Sequence, residues 1–258
     1  MNTRKLTQAL AALTAVFALA VLVLGTAANA AIIVTTADGS GPSAVESPSG
    51  SDLANAGQAT LDSSSASGLN ATNLAEMNDG VTNDVGGQEF GASGSDFLTY
   101  TFDVSTNTLG YDITKIVSIF GHQDGFGGGR VNQEYEIELT FLDDTTATLV
   151  NKTEWHPGGL FGSGTDEWTS VVFENSGGGA LHSDTVNIDS GGATSGTDVT
   201  ASGVKAITFK NFAPATPGGD LNVHEFDVFG TATIPEPATL ALLGLGGAVM
   251  LAGRRRRA

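Results

Sequence analysis

The chain has 258 residues, no cysteine and a net charge of −17. Without cysteine, disulfides and thiolate metal sites are excluded, and stability falls to an apolar core, helped at most by a hard cation bound through oxygen. Between residues 31 and 234 only five basic residues face 27 carboxylates, a balance of −22 that repels nucleic acid and anionic lipid while suiting neutral sugars, cations or basic partners. Much of this acidity serves solubility alone. The four histidines, His122, His156, His182 and His224, have no zinc-site spacing.

Residues 1–30 read as a secretory signal peptide: Arg4 and Lys5 make a basic start, residues 6–25 an apolar stretch, and Ala28-Asn29-Ala30 a small-residue cleavage site. An uncleaved anchor is the alternative. Residues 31–68 form a Ser/Gly-rich lead-in, and 37–68 in particular read as loop or partly flexible stalk. Residues 69–233 are predicted to be a β-sandwich domain.

In QEYEIELTFL, residues 133–142, Tyr135, Ile137, Leu139 and Phe141 share one face, and Glu134, Glu136, Glu138 and Thr140 the other. Such alternation marks a sheet with one side buried and one wet. FLTYTFD at 97–103 repeats it with Leu98, Tyr100 and Phe102. Further strands are predicted at 115–121, 145–150, 168–174, 204–210 and 223–230. Seven or more short strands with glycine-rich turns and no helical period predict an all-β, antiparallel sandwich.

The chain closes on IPEPATLALLGLGGAVMLAGRRRRA, residues 234–258. Residues 237–253 carry no charge and as a helix would rise about 26 Å, close to the hydrocarbon thickness of a bilayer. The arginines would stay in the cytoplasm. Pro235-Glu236-Pro237, the apolar run and Arg254, Arg255, Arg256 and Arg257 together resemble the PEP-CTERM sorting signal. That resemblance implies an exosortase-type processing enzyme as partner, transient membrane association through the C-terminal helix, removal of the tail near Pro235, and delivery to the cell surface or extracellular matrix. A plain membrane anchor is the other reading.

NLAEMNDGVTND at 73–84, FLTYTFD, YDITKIVSIFGH, RVNQEYEIELTFLDD, GVKAITFKNF and HEFDVFG follow one another in an order similar to the galactose-binding-like jelly roll of discoidin domains and carbohydrate-binding modules. The resemblance spans roughly residues 55–230 and implies a jelly-roll sandwich with a structural Ca²⁺ between the early Asp-Gly turn and the Glu of the last strand. Carried over, the side chains of Asp79 and Glu225, with Asp84, and the carbonyls of Glu76 and His224 would hold it. Val81 departs from the pattern where an oxygen ligand often stands. A metal-free Asp-Gly turn with an exposed Glu225 is the competing reading.

GHQDGFGGGR at 121–130 and EWHPGGLFGSGTDEW at 154–168 concentrate the polar and aromatic residues of one set of loops. Sugar sites pair an aromatic platform with side chains that bond hydroxyls. His122, Asp124, Arg130 and Trp155 make such a set. The plainer reading has Trp168 in the core, Arg130 in an ion pair and the glycines as a turn. No G-x-S-x-G, H-E-x-x-H, Walker or complete EF-hand motif is present, so a non-catalytic protein is expected. Three functions follow: a surface or matrix protein that binds or contributes to exopolysaccharide, a structural surface protein without a small ligand, or a carbohydrate-active enzyme of unrecognised type.

Overall fold

In a computed structural model, residues 32–55, 57–64, 77–82, 96–122, 131–155, 166–175, 177, 179–183, 199–213 and 221–234 are described, with 88–90 and 194–195 described in backbone only. They carry eleven strands: β1 Ile32–Gly39, β2 Ala59–Ser63, β3 Gln88–Phe90, β4 Phe97–Phe102, β5 Tyr111–His122, β6 Glu136–Phe141, β7 Thr146–Lys152, β8 Glu167–Asn175, β9 Thr194–Ser195, β10 Val204–Lys210 and β11 Leu221–Ala232. All pairings are antiparallel. One layer runs β1-β8-β5-β11-β3 and the other β2-β4-β10-β6-β7-β9. The layers are joined where β5 meets β10 at the pair Tyr111–Val204. This is an antiparallel β-sandwich of jelly-roll type.

All seven strands expected from alternation are present. Tyr135, Ile137 and Leu139 on and before β6 are fully buried, and Leu98, Tyr100 and Phe102 do the same for β4. The two layers meet through rings: Phe209 of β10 stacks on Phe226 of β11 at 3.9 Å, and Tyr135 sets its edge to Phe226 at 5.7 Å. Each such side chain stabilises the fold by about 1.5–3 kcal/mol on burial. One polar network is built into this core. Ser118 of β5 bonds Gln133 at 2.8 Å and Tyr135 at 2.6 Å, Gln133 Nε2 donates to Thr169 Oγ1 of β8, and Thr169 Oγ1 donates to the Val131 carbonyl. It pins residues 131–135 to the first layer and satisfies groups that would be costly if left alone.

The lead-in differs from expectation. β1 lies in the lead-in and runs into the stretch read as loop, and β2 lies wholly inside that stretch; β1 went unread because IIVTTADG has its exposed positions filled by Ile33, Thr35, Thr36 and Asp38. Residues 41–55 hold one short 3-10 turn, Pro42–Ala44, and no strand, yet they are strapped across the outer face of the first layer. There Val45 packs on a second apolar cluster of Val117, Ile119, Trp168 and Val172. Glu46 N donates to Ser170 Oγ, Lys115 pairs with Glu46 at 2.8 Å, and Leu53 N donates to the Val228 carbonyl at 2.7 Å.

Two ends of the sandwich are distinct. β1 and β5 begin, and β8 and β11 finish, at one end, called the tail end below; Ile33, Glu174, Lys115 and Phe229 stand in one row across these four strands near it. At the other, the loop end, Gly39, Trp168 and Gly121 share a row.

Candidate functional site

β11 positions the acidic site through a bulge. Its register steps from Val223–Phe120 to Glu225–Ile119, so His224 is an extra residue on this strand. A bulge re-aims the side chains beyond it. Val223 and Phe226 therefore both reach the core, while Glu225 and Asp227 share the outer face with Ile119 and Val117. His224 lies against Trp168 with ring centroids 4.4 Å apart, and its Nε2 is 3.0 Å from the Gly121 carbonyl.

Two further segments approach this face. Asp52, from the strap, accepts from Ala54 N at 2.7 Å and Val228 N at 3.0 Å, so its carboxylate continues the ladder along the free edge of β11. Asp227 Oδ2 accepts from Ser49 N at 3.1 Å. The turn at residues 77–80 closes the site. Asp79 Oδ1 accepts from Val81 N, the Met77 carbonyl accepts from the buried Tyr100 hydroxyl, and Gly80 sits at φ +76°. A Cβ on Gly80 would stand 2.4 Å from the Gly50 Cα, so only glycine permits the turn to meet the strap this closely.

Asp52, Glu225 and Asp227 are buried. Asp52 Oδ2, Asp227 Oδ1 and both oxygens of Glu225 have no hydrogen-bond partner. Burial, then the charges of Asp227, Asp79 and Asp52, push Glu225 up to about 10; the Gly80 amide opposes this only weakly. Asp227 is pushed up to about 7, first by burial and then by Asp52. Burial also raises Asp52. Four orphaned, buried carboxylate oxygens call either for protons or for a hard cation, and the oxygen-only donor set fits Ca²⁺. Among the described residues no three His, Asp or Glu side chains are grouped so as to hold a metal ion, so backbone carbonyls would have to complete a shell. Of the residues expected there, Asp79 and Glu225 lie close enough for their charges to act on each other, His224 turns its ring to Trp168 and the Gly121 carbonyl, and Glu76 and Asp84 lie outside the described residues. Asp52 and Asp227 were not anticipated. Asp227 is visible only once the bulge is known, and nothing in SDLAN signals that Asp52 would serve as a strand extension.

The expected sugar set is described only in part. Trp155 is half-buried, packs on the main core and exchanges two backbone hydrogen bonds with Gln133, both at 3.1 Å. His122 ends β5 opposite Glu167, and both it and Trp155 are at the loop end; the His122 side chain, Asp124 and Arg130 lie outside the described residues. Trp168 is fully buried, as the plainer reading had it. Glu167 is buried too, with Oε1 unpartnered.

β11 ends at Ala232, and from there the chain enters its distinctive tail. The family described as the PEP-CTERM protein-sorting motif matches residues 233–257. The tail is a PEP-CTERM sorting motif. Its Pro235, Glu236 and Pro237 and the arginines 254–257 lie outside the described residues, as do residues 1–30, where a signal peptide is expected; no helix among the described residues is long and apolar enough to cross a membrane. A PEP-CTERM motif implies an exported protein that is anchored and then processed. No curated protein matches the chain.

Among solved structures, a two-domain protein of unknown function from Bacteroides fragilis is similar at 11% identity and TM-score 0.39, over 75% of this chain and 47% of its own. The present chain thus spans about half of that protein. A structure of the β-galactosidase BgaA from Streptococcus pneumoniae is similar at 14% identity and TM-score 0.38, over 71% of this chain and 100% of the other. A family 32 carbohydrate-binding module from Streptococcus pneumoniae EndoD is similar at 10% identity and TM-score 0.36, over 70% and 100%. With TM-scores below 0.4, the fold assignment stands on the strand pairing itself.

Proposed function

We propose that this is a non-catalytic β-sandwich exported to the cell surface or extracellular matrix, where it binds or contributes to exopolysaccharide. The observation that carries the reading is the PEP-CTERM motif beginning at residue 233, directly after the last strand. The acidic body supports it, since it suits neutral glycans and cations better than nucleic acid. An exosortase-type enzyme is the processing partner in this reading.

A structural calcium ion belongs to the same proposal. Glu225 and Asp79 would hold it together with backbone carbonyls, while Asp52 and Asp227 add negative charge nearby. A bound divalent cation there supplies charge neutralisation and ties β11, the strap and the 77–80 turn together. The orphaned oxygens of Glu225 support this.

Glycan-array binding by residues 31–233, with calcium and with chelator, tests the function. Saturable binding to a neutral glycan that Trp155→Ala abolishes is the expected result. Absence of binding under both conditions contradicts it. The second reading, a structural surface protein without a small ligand, would then stand; the packing of Trp155 against the core favours it.

A further inference from the structure

The strap crosses the acidic site as a single thickness of chain. Its Gly50 and Ser51 are exposed, while the next residue, Asp52, is 4% exposed, and Asp227 and Glu225 on β11 are 1% and 0% exposed. Between residues 49 and 53 the strap is fastened to β11 largely through carboxylates. Ser49 N donates to Asp227 Oδ2 at 3.1 Å, and Val228 N donates to Asp52 Oδ1 at 3.0 Å; Leu53 N adds a backbone bond to the Val228 carbonyl at 2.7 Å. The turn at 77–80 bears on the same segment, since a Cβ on Gly80 would stand 2.6 Å from Gly50 N and 2.9 Å from the Ser49 carbonyl carbon. Strap, turn and β11 thus meet at one junction, and each brings acid to it.

The charge there is unbalanced. Asp227, Asp79 and Asp52 all act on Glu225, and Lys115, the basic group that acts on Asp227, is paired with Glu46 at 2.8 Å. Asp52 Oδ2, Asp227 Oδ1 and both oxygens of Glu225 are buried without partners. Such oxygens are costly, and apart from a proton they are relieved by a cation within the junction or by water. The opposite face of β11 is closed, because Phe226 and Val228 pack into the core. Water therefore reaches the carboxylates once the strap lifts.

We infer that residues 49–53 are a cation-dependent clasp: a divalent cation held by Glu225 and Asp79 keeps the strap closed on β11, and loss of that cation releases the strap locally while the sandwich stays folded. The inference rests on the reading that Glu225 and Asp79 hold a cation. The coupling runs both ways. The closed strap brings the charge of Asp52 to the site and so strengthens cation binding, and the cation offsets the repulsion that favours opening. Release stops short of residue 46, where Val45 packs on the outer apolar cluster and Glu46 is bonded to Ser170 and Lys115. It frees the N–H and carbonyl of Val228, and an uncovered strand edge pairs readily with other chains.

Hydrogen exchange of the full chain in detergent micelles at pH 8, with calcium and with chelator, tests the clasp alongside a calorimetric calcium titration. In chelator the amides of Ser49, Leu53 and Val228 should exchange about tenfold faster or more. Those of Ile207 and Phe209, paired within the other layer, should not change. Asp52→Asn keeps an oxygen to accept from the Val228 and Ala54 amides but removes one charge. It should weaken calcium binding about tenfold, and in chelator its strap amides should exchange more slowly than those of the wild type. Absence of calcium binding by the wild type overturns the cation reading and the clasp with it. Calcium binding with unchanged exchange at Ser49, Leu53 and Val228 overturns the clasp and leaves the cation reading standing. Acceleration that spreads to Ile207 and Phe209 overturns local release, and wild-type calcium affinity in Asp52→Asn overturns the coupling.

Discussion

Glu225 is the residue on which the acidic site turns. Its carboxyl is fully buried with neither oxygen partnered, next to Asp227 and Asp52. Both Glu225 and Asp227 have folded-state values raised above their ordinary ones of 4.5 and 3.8, to about 10 and about 7. The folded state therefore keeps protons that the unfolded chain releases. Stability without a cation is full below about pH 4 and declines as pH rises, first through the Asp227 value and then through that of Glu225. The proposed calcium ion would replace the protons and remove the decline. Thermal melting of residues 31–233 in chelator should show a midpoint roughly 5–10 °C lower at pH 8 than at pH 5, with calcium closing most of the gap. Glu225→Gln should shrink the decline in chelator to the part carried by Asp227 and lose the calcium response. A wild-type midpoint that rises with pH in chelator would contradict the assignment.

At the scale of elements, the bulge in β11 and the strap at residues 41–55 make the site. The strap replaces a missing neighbour strand: Asp52 and Leu53 take up the free N–H and carbonyl of Val228. Asp52→Ala would leave the Val228 and Ala54 amides without their acceptor, at a cost of about 1–3 kcal/mol. Urea unfolding should show that loss, and hydrogen exchange should show Val228 losing protection before Phe226 does. Unchanged stability would mean that the strap merely lies on the sheet.

The same elements explain how far the sequence could be read. β4 and β6 were legible because each alternates between a buried and a wetter face, as Leu98, Tyr100 and Phe102 do. β1 and β2 were not, since an edge strand with Thr and Asp on its open face carries little period. The Asp79–Glu225 pairing came from a family resemblance, while Asp227 was hidden by a change of phase at His224 that no local pattern announces. Asp52 acts through a single carboxylate from a loop, for which composition offers no sign.

For the whole molecule, the tail root is part of the fold and the tail itself is an address. Thr233, the first residue of the motif, donates from its backbone N to the Gly110 carbonyl and from its hydroxyl to Asp112, so the hydrogen-bonded fold runs up to the motif.

The most direct test is the intact mass and location of the protein made in a cell that carries the processing enzyme. Export and sorting predict a chain at the surface or in the matrix that begins at residue 31 and ends near Pro235, without the arginines. A full-length chain of 258 residues retained in the cytoplasm would contradict the account.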